Sequence, residues 1–180
     1  MTDSPQTRPK ILVIGYARHG KDTVCELLRD VYGFSFVSSS FFCAEMLIFP
    51  LLASKYNYQS VKDCFDDRVN HRAEWYEAIR AYNLGDDSRL GRAIWEKNDV
   101  YCGLRSSVEF KVLQNKRAFD YCFWVDAGNR EPDEDQSSCT VEKSMADYII
   151  DNRGSLDQLA LNLDTLMQSI GIDKAGAKFD

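Results

Sequence analysis

The stretch Gly15-Tyr-Ala-Arg-His-Gly-Lys-Asp-Thr23 decides how this chain folds. A short apolar run, Ile11-Leu-Val-Ile14, leads into it, and Val24-Cys-Glu-Leu-Leu28 leads out. In order this reads as strand, glycine-bounded loop and helix, and the spacing G-x-x-x-x-G-K is that of a phosphate-binding loop. The physics suits a polyphosphate. Gly15 and Gly20 allow the tight turn that points successive N–H groups inward. The helix that follows starts with unpaired N–H groups and the positive end of its dipole. Lys21 adds a mobile charge for the outer phosphates. Arg18 and His19, inside the loop, are candidates to reach the terminal phosphate or an acceptor. Asp22 stands where a hydroxyl usually holds Mg²⁺, and Thr23 follows it. A carboxylate is also a good ligand for a hard cation. The metal ligand is therefore Asp22 directly, or Thr23 through a shifted turn, and the sequence leaves both open.

Outward from the loop, short apolar strands alternate with helical stretches. Ile11–Ile14, Phe34–Val37, Val100–Gly103, Tyr121–Val125 and Tyr148–Ile150 read as strands, the first being a β-branched run suited to the middle of a parallel sheet. Helices are expected over 22–31, 41–52, 61–65, 68–82, 88–97, 107–115 and 155–170. Ser38–Ser40, Ser60, and Asp66 or Asp67 are candidate caps. Pro50 is expected to disturb the end of the second helix. The last helix is expected to bury Leu156, Leu159, Leu163 and Leu166 on one face. This alternation predicts an α/β fold, a parallel sheet of about five strands flanked by helices in three layers. Ligands of such sheets bind at the carboxyl ends of the strands. That rule gathers the glycine loop, Ser38–Ser40, Arg105 and Asp126–Arg130 along one rim.

The length of 180 residues argues for one domain over 10–172, after an arm at 1–9 expected to be disordered and before a loose tail beyond Gly171. A net charge of −6 disfavours broad electrostatic binding to a nucleic-acid backbone. The six cysteines form no C-x-x-C pair, and the N-terminus is polar, without a signal-peptide pattern. Reduced thiols and a cytoplasmic protein (the host cytoplasm, if phage-encoded) are expected. No apolar run approaches membrane-spanning length.

With these residues placed, the chain resembles the phage deoxynucleoside monophosphate kinases of the P-loop superfamily, including related phage kinases of 5-hydroxymethyluracil in DNA. Gly20-Lys21-Asp22-Thr23, Gly103-Leu-Arg105 with Glu109, and Asp147-Tyr-Ile-Ile-Asp-Asn-Arg-Gly-Ser-Leu156 carry the resemblance. Residues 57–98 match less clearly, although Asp67–Tyr76 looks more like the hydroxymethyluracil branch. The resemblance implies a three-layer P-loop nucleotide kinase using ATP and Mg²⁺, with a helical acceptor-binding insertion at about 38–98 and a lid-like loop at about 129–142. The family usually has an Asp before the arginine of the third strand. Gly103 stands there, which leaves Asp22, Asp126 or Glu109 as compensating carboxylates.

On this reading Gly15–Thr23 holds the donor, and Lys21, Arg18 and Arg105 stabilise the transferred group. Arg105 leaves a strand at the rim, where a guanidinium suits a phosphate, and a salt bridge to Glu109 is its structural alternative. Arg68 and Arg72, four apart, are expected on one helix face to bind an acceptor phosphate or a DNA phosphate. Ser38, Phe41 and Asp126 complete the acceptor side, with Phe41, Phe42, Trp75 or Tyr76 as possible base-stacking rings. Arg130 closes over ATP, or is surface charge. Two acceptors remain open. A free monophosphate is already a nucleophile and needs no base. A hydroxymethyl group in DNA benefits from one, for which Asp67 or Asp126 is available. A P-loop NTPase without an organic acceptor is the third reading.

Overall fold

The computed structural model describes residues 8–131 and 139–176. Its strands are β1 (Ile11–Ile14), β2 (Phe36–Ser38), β3 (Val100–Cys102), β4 (Tyr121–Asp126) and β5 (Tyr148–Asp151). All pair in parallel, in the order β2-β3-β1-β4-β5. β1 is central: Leu12 sits beside Tyr101 of β3 on one side and Cys122 of β4 on the other. A strand enclosed in this way has both faces covered, so no polar alternation is tolerated and all four residues are fully buried.

The period of two along each strand divides the core. Ile11, Val13, Val100, Cys102, Phe123 and Val125 face the helices α1 (Lys21–Tyr32) and α8 (Leu156–Ser169). Leu12, Ile14, Tyr101, Cys122 and Trp124 face the helices between β2 and β3, together with α7 (Ser107–Asn115). The result is the expected three-layer α/β fold. All six cysteines are buried, unbridged thiols.

The segment between β2 and β3 contains no strand and carries the helices α2 (Ser39–Cys43), α3 (Phe49–Tyr56), α4 (Val61–Asp66), α5 (Arg72–Tyr82) and α6 (Arg89–Trp95). Ser38, Ser60 and Ser106 cap α2, α4 and α7, their hydroxyls accepting from the N–H groups of Phe41, Asp63 and Glu109. Pro50 does not end the second helix. A π-turn at Ala44–Ile48, in which Phe49 N–H reaches back to Ala44 O, shifts the hydrogen-bond frame just ahead of it. Pro50 then falls in the first turn of α3, where its missing N–H costs nothing.

Several expectations are corrected. The helix expected over 68–82 is two pieces, a 3₁₀ turn at Asp67–Val69 and then α5. Asp67 does not cap it, because its carboxylate is taken by Tyr58, Asn70 and His71 side chains. β2 starts two residues late: Phe34 is buried under the sheet, and Ser35 bonds to Asp99 instead of pairing as strand. α8 buries Leu159, Leu163 and Met167, whereas Leu156 is 61% exposed. The tail is tied down as far as it is described, with Ile172 N–H on Met167 O, Ala175 N–H on Val31 O and Lys174 on Asp164. Of the arm, residues 1–7 lie outside the described residues, and Arg8 packs over Phe34 and donates to Gly33 O.

The α8 face gives a direct check. Leu163→Ala is expected to cost about 2–5 kcal/mol of unfolding free energy, as for other large-to-small core changes. Leu156→Ala is expected to stay within about 0.5 kcal/mol. Chemical denaturation of both variants measures this, and comparable losses would put Leu156 in the core.

Candidate phosphate-binding site

The glycine loop leaves the carboxyl end of β1 and delivers Lys21 to the first turn of α1. Gly15 (φ +145°) lies against β4: a Cβ there would meet Val125 O at 2.6 Å. Gly20 (φ +93°) is the residue before the helix and offers no side-chain cap, so none of its own atoms blocks the first N–H groups of α1. Lys21 Nζ donates to Tyr16 O at 2.7 Å, across the loop. Arg18, at φ +63°, is mostly exposed and pairs with Glu131 at 3.2 Å. Asp22 and Thr23 both lie in the first turn of α1, and Asp22 Oδ1 accepts from the Cys102 thiol at 3.5 Å.

The position of His19 differs from expectation. It is 1% exposed, so its ring does not face solvent or a ligand entering from it. Its Nδ1 accepts from Ala127 N–H at 3.1 Å, just past β4, and its ring packs edge-on with Tyr16. Asn152, buried at the end of β5, donates its side-chain amide to His19 O at 2.9 Å. Sequence reasoning did not single out Asn152. Its signals were its place in the Asp147–Leu156 stretch that carries the resemblance and a polar residue directly after a buried strand at the carboxyl rim.

Across from the loop, Gly103 (φ +92°) follows β3. A Cβ there would come within 3.4 Å of Ser39 Oγ and 4.0 Å of Lys21 Cε. A side chain at position 103 would thus meet both the loop lysine and the start of α2, and the left-handed backbone there favours glycine over the aspartate that the resemblance led us to expect. Ser39 Oγ donates to Gly103 O at 3.2 Å. Ser38 uses its hydroxyl to cap α2, which leaves Phe41 partly exposed one turn on. Phe41 packs edge-on with Phe65 at 5.4 Å, and the Arg68 guanidinium lies over Phe65 at 4.0 Å. Phe65, absent from the expectations, joins two residues that were among them.

Other expected residues are dispersed. Arg72 is exposed at the start of α5, and the break at Asn70–His71 separates it from Arg68, so the two share no helix face. Trp75 and Phe42 are core residues, whereas Tyr76 is 65% exposed. Arg105 is exposed just beyond β3, and its carbonyl accepts from Thr140 N–H at 2.9 Å and Thr140 Oγ1 at 3.3 Å. Arg130 donates to Gly154 O at 3.3 Å. With Glu131 on Arg18, the start of the lid-like loop bridges the glycine loop and the β5–α8 turn; residues 132–138 lie outside the described residues.

The carboxylates sort by environment. Hydrogen bonds from Tyr58 and then Asn70 hold Asp67 below the usual carboxylate range. Lys143, with Gly128 N–H, does the same for Asp126. Glu109 goes the other way: burial pushes its carboxyl up to about 7, against the Tyr101 hydroxyl that donates to it at 3.1 Å. Glu109 is buried and held by Tyr101, which does not fit its expected role as a compensating carboxylate for a ligand at the rim. Among the described residues no group of three or more His, Cys, Asp or Glu is placed to hold a metal ion by itself. Among them also no helix is long and apolar enough to cross a membrane.

No protein-family profile and no curated protein matches the chain. Solved structures do. TT1252 from Thermus thermophilus is similar at 17% identity and a TM-score of 0.50, over 91% of this chain and 99% of that one. An unliganded sugar kinase from Janibacter sp. HTCC2649 is 13% identical with a TM-score of 0.48, over 96% and 99%. At these identities the likeness concerns the fold alone.

Glu109 makes stability depend on pH. Its folded value lies above the ordinary 4.5, so the native state binds the extra proton between those limits. The contribution, roughly 3 kcal/mol, is complete below the ordinary value and lost as pH rises through about 7. Thermal unfolding followed from acid to mildly alkaline pH is expected to show Glu109→Gln gaining on the wild type as pH rises. Parallel profiles would place an ionised Glu109 in the native protein.

Proposed function

We propose that the chain is a kinase that transfers the γ-phosphoryl group of ATP to a deoxynucleotide, in the manner of the phage deoxynucleoside monophosphate kinases it resembles. The observation that carries this is the glycine loop at the carboxyl end of a central parallel strand, with Lys21 in the first turn of α1 and within reach of Gly103 and Ser39. The loop N–H groups, the α1 dipole and Lys21 take the triphosphate. An acceptor phosphate oxygen attacks the γ-phosphorus as the bond to the β–γ bridging oxygen breaks, giving ADP and a diphosphate. Charge then spreads over the transferred oxygens, and Arg105, just beyond β3, and Arg18, in the loop, are the guanidiniums we assign to stabilise it.

Mg²⁺ fits the residues present in its usual form, one side-chain oxygen with waters and phosphates completing the shell. Asp22 or Thr23 in the first turn of α1 would supply that oxygen, and the ion would neutralise phosphate charge. On the acceptor side the partly exposed Phe41 with Phe65 offers an aromatic surface for a base, beside the cation of Arg68. Arg72 and Asp126 lie outside this group.

The alternative acceptor is the hydroxymethyl group of 5-hydroxymethyluracil in DNA. It benefits from a base, and both candidate carboxylates, Asp67 and Asp126, are held below the usual range by their own partners. Such carboxylates accept a hydroxyl proton poorly, whereas a monophosphate needs none removed. The free nucleotide is therefore favoured.

The test offers γ-labelled ATP with each common deoxynucleoside monophosphate, 5-hydroxymethyl-dUMP and hydroxymethyluracil DNA. Label is expected in a free diphosphate, and Lys21→Ala is expected to lose at least about a hundredfold in rate without a change in melting. Label in DNA only would favour the alternative. Hydrolysis without any labelled acceptor would leave an NTPase.

A further inference from the structure

The burial of His19 has no obvious place in a loop built to meet a solvated anion. Burying an imidazole and an amide needs compensation, and here the compensation is directed at the loop. Asn152 Nδ2 donates to His19 O at 2.9 Å, and the same amide nitrogen would lie 2.2 Å from a Cβ at position 20. Asn152 is fixed in turn by its own N–H on Asp126 O at 2.8 Å. His19 Nδ1 takes Ala127 N–H at 3.1 Å, which assigns the neutral ring with its proton on Nε2. Among the described residues that buried Nε2 has no hydrogen-bond partner, so the polar contact that holds the ring is the one at Nδ1. Tyr16, whose carbonyl takes both Lys21 Nζ and His19 N–H, packs edge-on with the His19 ring at 5.5 Å and with Trp124 at 5.0 Å.

Resting on the phosphate-loop reading, we infer that His19 and Asn152 are positioning residues, which lock residues 16–20 from the protein side in the turn that leads the chain to the phosphate-binding N–H groups at the start of α1. Neither touches the ligand. The ends of β4 and β5 thereby set the shape of a loop that grows out of β1. A free glycine-bounded loop samples many turns, and ordering it on binding weakens affinity; a loop ordered beforehand avoids that loss. The lock depends on two polar features, an acceptor at position 19 and a donor at position 152.

The full-length chain is titrated with inorganic tripolyphosphate by calorimetry, and each variant is melted in parallel. His19→Leu fills most of the ring's volume without the acceptor, and His19→Asn brings an acceptor oxygen near the place of Nδ1. Asn152→Asp keeps the shape and replaces the donor by an acceptor. His19→Leu and Asn152→Asp are each expected to weaken tripolyphosphate about tenfold, and His19→Asn to recover most of that loss. Wild-type affinity in folded His19→Leu and Asn152→Asp would overturn the inference, as would His19→Asn binding no better than His19→Leu. Should His19→Leu fail to fold, unchanged affinity in Asn152→Asp alone would overturn it. A wild type that binds no tripolyphosphate, with Lys21→Ala no different, would instead remove the phosphate-loop reading and this inference with it.

Discussion

The parallel pairing of β1 with strands on both sides is the constraint from which the rest follows. Ile11–Ile14 pairs with β3 and β4 at once, and its side chains are fully buried on both faces. The backbone leaving such a strand must turn sharply into a helix that packs back on the sheet. Gly15 makes that turn against Val125 O, at a distance no side chain permits. The first N–H groups of α1 are then delivered to the same edge as the ends of β3, β4 and β5. The site is a consequence of sheet order rather than of a feature added to it.

That order explains which residues meet. β3 lies beside β1, so a Cβ at position 103 would come within 4.0 Å of Lys21 Cε although 82 positions separate the two residues. β2 lies beyond β3 and brings Ser38 and Ser39 to the same edge. β4 and β5 lie on the other side and bring Ala127 and Asn152 under His19. The loop is thus held from the β4 and β5 side, while the chain that continues from β2 carries an aromatic and cationic group, Phe41, Phe65 and Arg68.

Much of this was legible in the chain. The strand-loop-helix reading of 11–28 and the caps at Ser38 and Ser60 depend on neighbours a few residues apart, and these local signals hold. What the sequence did not show depends on contacts between distant segments. Asp67 reads as a cap, but Tyr58 and His71 compete for its carboxylate, and the helix breaks there. His19 sits among residues expected to face a ligand, and only the ends of β4 and β5 reveal that it faces inward. Leu156 fits the apolar period of α8, but it lies in the first turn, beyond the edge of the surface that Leu159, Leu163 and Met167 cover. Pro50 looks like a stop signal until a π-turn moves it to a position that tolerates it.

The central claim is that the backbone of the glycine loop is the nucleotide site. Backbone amide resonances of the isotopically labelled chain, followed while a non-hydrolysable ATP analogue with Mg²⁺ is added, test it most directly. The account predicts that the largest shifts fall on residues 17–23, with smaller ones at Gly103 and Arg105, and none in the outer turns of α5. Shifts concentrated away from the glycine loop, with residues 17–23 unmoved at saturation, would contradict it.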